Sequence, residues 1–134
     1  MKAGVFRERE LRIPADLCML RDARDWAARA AADFGFKEDE RFQVRLATSE
    51  AVTNAIVHGS ASDTDAVELE AREVHGALVF EVRDAGATDV PLGSLERLAE
   101  GGRGLELVGL IMDEVELERR TEGSVLRFTK RLAA

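Results

Sequence analysis

Residues 47–59, Ala-Thr-Ser-Glu-Ala-Val-Thr-Asn-Ala-Ile-Val-His-Gly, restrict the folds open to this chain more than any other segment. Ala47, Ala51, Val52, Ala55, Ile56 and Val57 make a helix that must be mostly buried, so a second layer has to cover it. Glu50, Asn54 and His58 recur at i, i+4 and i+8 and line one side of that helix. A buried carboxylate or amide costs about 1–3 kcal/mol or more when it has no partner. The polar line must therefore touch something, and that something can be protein or ligand.

A covering layer is legible elsewhere in the chain. Residues 67–74 and 78–83 both alternate apolar and polar side chains, and His75-Gly76 between them predicts a hairpin turn. Residues 115–119 and 124–131 predict a second hairpin around Glu122-Gly123. Residues 5–13 alternate more loosely and predict another strand. Pro14 is expected to open a first helix whose apolar set is Leu17, Leu20, Ala23, Ala27, Ala30, Ala31 and Phe34, closed by Gly35. The second helix is expected from Asp39 to His58, ended by Gly59-Ser60, with a polar loop over 60–65. A third covers 104–112. Residues 86–103 carry Gly86, Pro91, Gly93, Gly101 and Gly102 and read as a long, lid-like loop with a short helix at 94–99. The expected fold class is α+β, a two-layer sandwich of a mixed, mostly antiparallel sheet with helices on one face.

At 134 residues the chain is expected to be a single domain spanning 1–134. A hydrophobic share of 46% beside 34% charged residues excludes a disordered chain. No apolar run approaches the roughly 20 residues of a membrane helix, and the start lacks a signal-peptide core. Cys18 is the only cysteine, so an internal disulfide is excluded and a cytoplasmic setting is expected. The two histidines, with no cysteine cluster, argue against structural zinc. A net charge of −7 argues against direct nucleic-acid binding.

Three segments could carry chemistry. Asp84-Ala85-Gly86 leaves the end of a strand; Asp84 could accept a hydrogen bond from an exocyclic amine such as adenine's, and Gly86 would let the backbone approach a flat base. Taken alone, Asp84 reads more simply as a turn-starting aspartate. Gly101-Gly102-Arg103-Gly104-Leu105 stands before a helix, where backbone N–H groups and Arg103 could meet phosphate; a flexible loop is the plainer alternative. Asn54 offers one carbonyl oxygen suited to Mg²⁺, and Glu50 could accept a proton from an attacking hydroxyl. Both could equally be core polar residues that satisfy backbone groups.

The order of these segments resembles the GHKL ATP-binding superfamily of gyrases, heat-shock chaperones and histidine kinases. More narrowly, residues 49–59 resemble the asparagine box of the bacterial anti-sigma-factor serine kinases. Residues 83–86 resemble their first glycine box, and residues 102–105 their second. Residues 111–115 and 123–130 are similar to that family's C-terminal helix and strand pair. The resemblance implies Glu50 as catalytic base and Asn54 as Mg²⁺ ligand. It implies Asp84 on the adenine amine, Gly86 beneath the base and Thr129 supporting the adenine pocket. Gly102, Arg103 and Gly104 would hold phosphates, with Leu105 counted in the cofactor-binding set. His58 would flank the pocket or order the helix end. Ala87-Thr88 stands where the family usually continues with a second glycine, and the lid is short.

The resemblance further implies ATP and Mg²⁺ as cofactors and a serine/threonine protein kinase acting as an anti-sigma factor. Its substrate would be a STAS-type anti-anti-sigma protein, its sequestered partner a sigma factor, and its assembly a homodimer. The alternative is a non-catalytic, nucleotide-dependent partner-switching module. A sensor histidine kinase would need a separate helix bearing the phosphoacceptor histidine.

Overall fold

The computed structural model describes residues 6–60, 62, 64–85, 104–121 and 123–132. Strands β1 (Arg9–Pro14), β2 (Ala66–Val74), β3 (Ala77–Asp84), β4 (Glu114–Arg120) and β5 (Gly123–Arg131) form one five-stranded sheet in the order β1-β2-β3-β5-β4. Every pairing is antiparallel, so no parallel pair occurs among the described strands. Helices α1 (Leu20–Phe34), α2 (Glu38–Val57) and α3 (Gly104–Ile111) supply the second layer. The architecture is the expected α+β sandwich. The lid-like loop and its short helix lie outside the described residues.

Period-two alternation sorts the sheet into two faces. Ile13, Val67, Leu69, Ala71, Leu78, Phe80, Val82, Leu126 and Phe128 point toward the helices and share one core with them. Phe80 and Phe128 are cross-strand partners whose rings stack with centroids 5.3 Å apart. The helices meet this face mainly through small residues, Ala23, Ala27, Ala30 and Ala31 from α1 and Ala47, Ala51 and Ala55 from α2.

Local signals explain the boundaries. His75 (φ 49°) and Gly76 (φ 79°) both take the left-handed conformation that a two-residue hairpin requires. Gly35 closes α1 at φ 110°, its N–H bonded to the carbonyls of Ala31 and Ala32. At the start of α2 the Glu40 carboxylate accepts the Lys37 N–H at 2.8 Å. Pro14 does not open a helix: it ends β1 opposite Ala66. An edge strand tolerates proline because the missing N–H costs no ladder bond there. The helical turn begins at Leu17 instead, where Asp16 accepts the Cys18 N–H at 2.9 Å.

The opposite face is a lattice of ion pairs centred on Glu81, which is 4% exposed. Arg72, Arg83 and Arg127 donate to its carboxylate at 3.0, 2.8 and 2.7 Å. Burial alone would raise the Glu81 carboxyl, but hydrogen bonds from Arg127 and Arg72 and their charges outweigh it and hold it at about 2. In the unfolded chain the group protonates first, so its contribution is fully present above pH 4.5 and is lost as pH falls toward 2. Replacing Glu81 with Gln removes the carboxylate the three guanidinium groups share, leaving Arg72 and Arg83 on Glu70 and Arg127 on Glu116, and should cost about 3 kcal/mol at pH 7. Thermal unfolding from pH 7 to 2 should show the wild-type advantage over Glu81→Gln shrinking only in the acid limb. A constant difference across that range would contradict the assignment.

Candidate functional site

Helix α2 packs against α1, α3 and β3. Its buried face consists of Val44, Ala47, Thr48, Ala51, Val52 and Ala55. Glu50 and Asn54 lie beside that face and are half-buried, whereas His58 is exposed. The polar line expected from the sequence is therefore uneven. His58 caps the helix, its N–H bonded to the Asn54 carbonyl at 2.9 Å, and its side chain belongs to the surface. Asn54 keeps an amide nitrogen, Nδ2, buried with no hydrogen-bond partner among the described residues. Oxygen and nitrogen of such an amide can exchange places by a flip, so the unsatisfied position can present either a donor or an acceptor.

Asp84 ends β3 directly opposite Ser124 of β5. The Ser124 N–H donates to Asp84 Oδ1 at 3.2 Å, and the Ser124 hydroxyl lies 3.2 Å from Oδ1 and 3.1 Å from Oδ2. Two glycines complete the seat. A Cβ at Gly59 would stand 2.3 Å from Asp84 Oδ2 and 2.4 Å from its Cγ, so the carboxylate rests against the bare backbone just beyond α2. A Cβ at Gly123 would stand 2.1 Å from the Asp84 carbonyl oxygen, and Gly123 also has φ 131°. Asp84 thus joins the ends of β3 and α2 to the start of β5. At a helical rise of about 1.5 Å per residue, Asn54 lies roughly 7 Å and Glu50 roughly 13 Å back along α2 from Gly59. The Asp84 carboxylate, the Asn54 amide and the Glu50 carboxylate thus follow one another from the end of α2 back along the helix.

The remaining expected residues divide. Thr129 is buried on the sheet face away from the helices, five positions along β5 from Ser124 and paired with Val79. An odd separation along a strand reverses the side chain, so Thr129 cannot share a pocket with Asp84, and its expected supporting role is corrected. The Leu105 side chain is part of the hydrophobic core, and Gly104 is the first residue of α3. Gly86, Gly102 and Arg103 lie outside the described residues. Ser124 and Gly59 were not singled out as functional by sequence reasoning. Ser124 was findable, because Leu126 and Phe128 set its face and the Glu122-Gly123 turn sets its place at the strand start. Gly59 was not: its role depends on a contact between segments far apart in the chain.

Among the described residues no group of three or more His, Cys, Asp or Glu side chains converges as a metal cage. A divalent ion held at Asn54 would take its other ligands from water and a bound anion, the usual manner of Mg²⁺. Asn54 fits that requirement, since an amide oxygen is a hard neutral ligand and this amide has an unsatisfied buried atom.

Fold and site define the class as a GHKL-type ATP-binding domain. The family model of the histidine kinase-like ATPase domain matches residues 13–130. Anti-sigma F factor of Priestia megaterium is 32% identical over 105 residues, covering 70% of this chain and 71% of that protein. Serine-protein kinase RsbW of Bacillus subtilis (strain 168) is 28% identical over 137 residues, covering 92% and 84%. The crystal structure of the RsbU and RsbW domains of Rv1364c from Mycobacterium tuberculosis superposes with a TM-score of 0.72 at 21% identity, over 94% of this chain and 32% of that one. The chain belongs to the histidine kinase-like ATPase family, in its branch of anti-sigma-factor serine/threonine kinases.

The seat of Asp84 has a direct stability test. Ser124→Ala removes one hydroxyl and should cost about 1 kcal/mol in urea unfolding. Gly123→Ala should cost more, because the new Cβ meets backbone and φ 131° is strained for alanine. The reverse ranking would contradict the packing described.

Proposed function

We propose that this protein is an ATP- and Mg²⁺-dependent serine/threonine kinase that phosphorylates a STAS-type anti-anti-sigma protein and sequesters a sigma factor. The observation that carries the reading is Asp84, fixed by Ser124 and Gly59 at the end of the helix that bears Glu50 and Asn54. The names of the relatives, anti-sigma F factor and serine-protein kinase, support the choice of a protein substrate. In this reading the protein acts in the cytoplasm as a homodimer of single-domain chains spanning 1–134. Among the described residues no helix is long and apolar enough to cross a membrane.

Phosphoryl transfer needs chiefly positioning and charge stabilisation. Asp84 accepts a hydrogen bond from the adenine amine and so fixes one end of the nucleotide, with Gly86 beneath the base. Asn54 would hold Mg²⁺, which when bound offsets the negative charge of the phosphates. Gly102, Arg103 and Gly104 hold the phosphates by backbone N–H groups and a guanidinium. The N–H of Leu105 lies in the first turn of α3, where amide groups have no helical partner. Glu50 accepts the proton of the attacking serine hydroxyl as the serine oxygen bonds to the γ-phosphorus. The bond from that phosphorus to the bridging oxygen breaks, and ADP leaves.

Glu50→Ala should lower phosphotransfer to a cognate STAS protein at least about 100-fold while ATP affinity changes little. Radiolabel transfer and calorimetric titration on the same preparations check both. Unchanged transfer would refute the base assignment. Tight ATP binding with no transfer even in the wild type would favour the non-catalytic module. Asn54→Ala should remove the Mg²⁺ dependence of nucleotide affinity, read by titrating with and without the metal.

A further inference from the structure

We propose that Gly59 is a specificity-determining position of this site: the absence of a side chain there sets where the Asp84 carboxylate sits, and so sets preference for a base bearing an exocyclic amine. The proposal rests on the nucleotide reading above and extends it to a residue that contacts no part of the nucleotide in that reading.

The argument is steric. The Asp84 carboxylate is held on one side by the Ser124 N–H and hydroxyl, at 3.1–3.2 Å. On another it abuts position 59, where a Cβ would fall 2.3 Å from Oδ2, far inside van der Waals contact. The same Cβ would stand 2.9 Å from the Ala55 carbonyl oxygen, which is helix backbone and cannot yield cheaply. The Gly59 N–H is bonded to that same carbonyl at 3.1 Å, which ties the residue to the helix end. Any side chain at 59 must therefore displace the carboxylate rather than move away from it. Asp84 has one rotatable bond between its Cβ and the backbone and one more to the carboxylate, so displacement means leaving the Ser124 bonds.

An ionised carboxylate only accepts hydrogen bonds. It favours the 6-amino group of adenine, gains nothing from a purine lacking that group, and opposes a carbonyl oxygen at the same position. A site built around one hydrogen bond rejects the analogue without it only while the protein partner is held in place. Gly59 holds it by occupying no space.

The test uses the full chain and two nucleotides, ATP and purine riboside triphosphate, which lacks the 6-amine. The wild type should prefer ATP by about tenfold or more. Gly59→Ala should weaken ATP binding and bring the two affinities to within about twofold, with purine riboside triphosphate binding little changed. An unchanged preference in Gly59→Ala would overturn the proposal while leaving the nucleotide reading intact. A wild type that binds neither nucleotide would overturn both. Should Gly59→Ala prove too unstable to titrate, the clash is read from stability. The drop in Tm caused by Gly59→Ala should be at least about halved in an Asp84→Ala background, because the two positions couple through one contact. An equal drop in both backgrounds would assign the cost to the helix end and overturn the proposal.

Discussion

The antiparallel register of β3 between β2 and β5 decides on which side of the sheet every chemically useful side chain falls. Phe80 opposite Phe128 and Val82 opposite Leu126 fix that register from the core side. Asp84 and Ser124 are the next pair along the same face. A slip of one residue would turn Asp84 into the outer lattice with Glu81 and bring Arg83 toward α2, since strand side chains alternate with period two. The apolar pairs that stabilise the fold thus also aim Asp84 toward the end of α2.

The two faces solve different problems. The outer face is covered by no helix among the described elements and is built from ion pairs, with Glu81 beneath Arg72, Arg83 and Arg127 and further pairs to Glu70 and Glu116. The Glu81 carboxyl, held at about 2, lies on the opposite face from Asp84, so perturbed titration here marks a structural lattice. The inner face is packed by alanines, which permit close approach of helix to helix and helix to sheet. A thin helix layer is what brings the end of α2 near enough for Gly59 to meet Asp84. Bulkier residues at Ala51 or Ala55 would lift that end away from the strand.

Much of this was legible in the sequence because it is local. Alternation over 67–74 and 78–83 encoded β2 and β3, and His75-Gly76 encoded a turn whose positive φ angles the structure reproduces. The helix expected over 39–58 is observed at Glu38–Val57. Pro14 misled because a proline can serve either a helix start or an edge strand, and only the pairing with Ala66 decides. Thr129 misled for a related reason: being on the right strand says nothing about the face until the register is known. Its partner Val79 lies on the outer side, whereas Ser124 shares its side with Leu126 and Phe128. Glu50, Asn54 and Asp84 were legible as residues, yet the approach of Asp84 to Gly59 at the end of α2 was not, because it is made by tertiary contact between that end and β3.

The polar line of Glu50, Asn54 and His58 assumed a helix that runs through His58, its last member. The helix instead closes at Val57, with His58 as its cap, and the repeat of four residues loses its meaning there. A side chain at the cap points where the chain turns, and His58 accordingly faces solvent. The position that continues the line is Gly59, one residue later, through the space it leaves. Helix periodicity therefore puts Glu50 and Asn54 on one side of α2 and stops short of the third place, where His58 orders the helix end. Beyond the last turn, the contact with β3 rather than the helical repeat determines which residue faces the site.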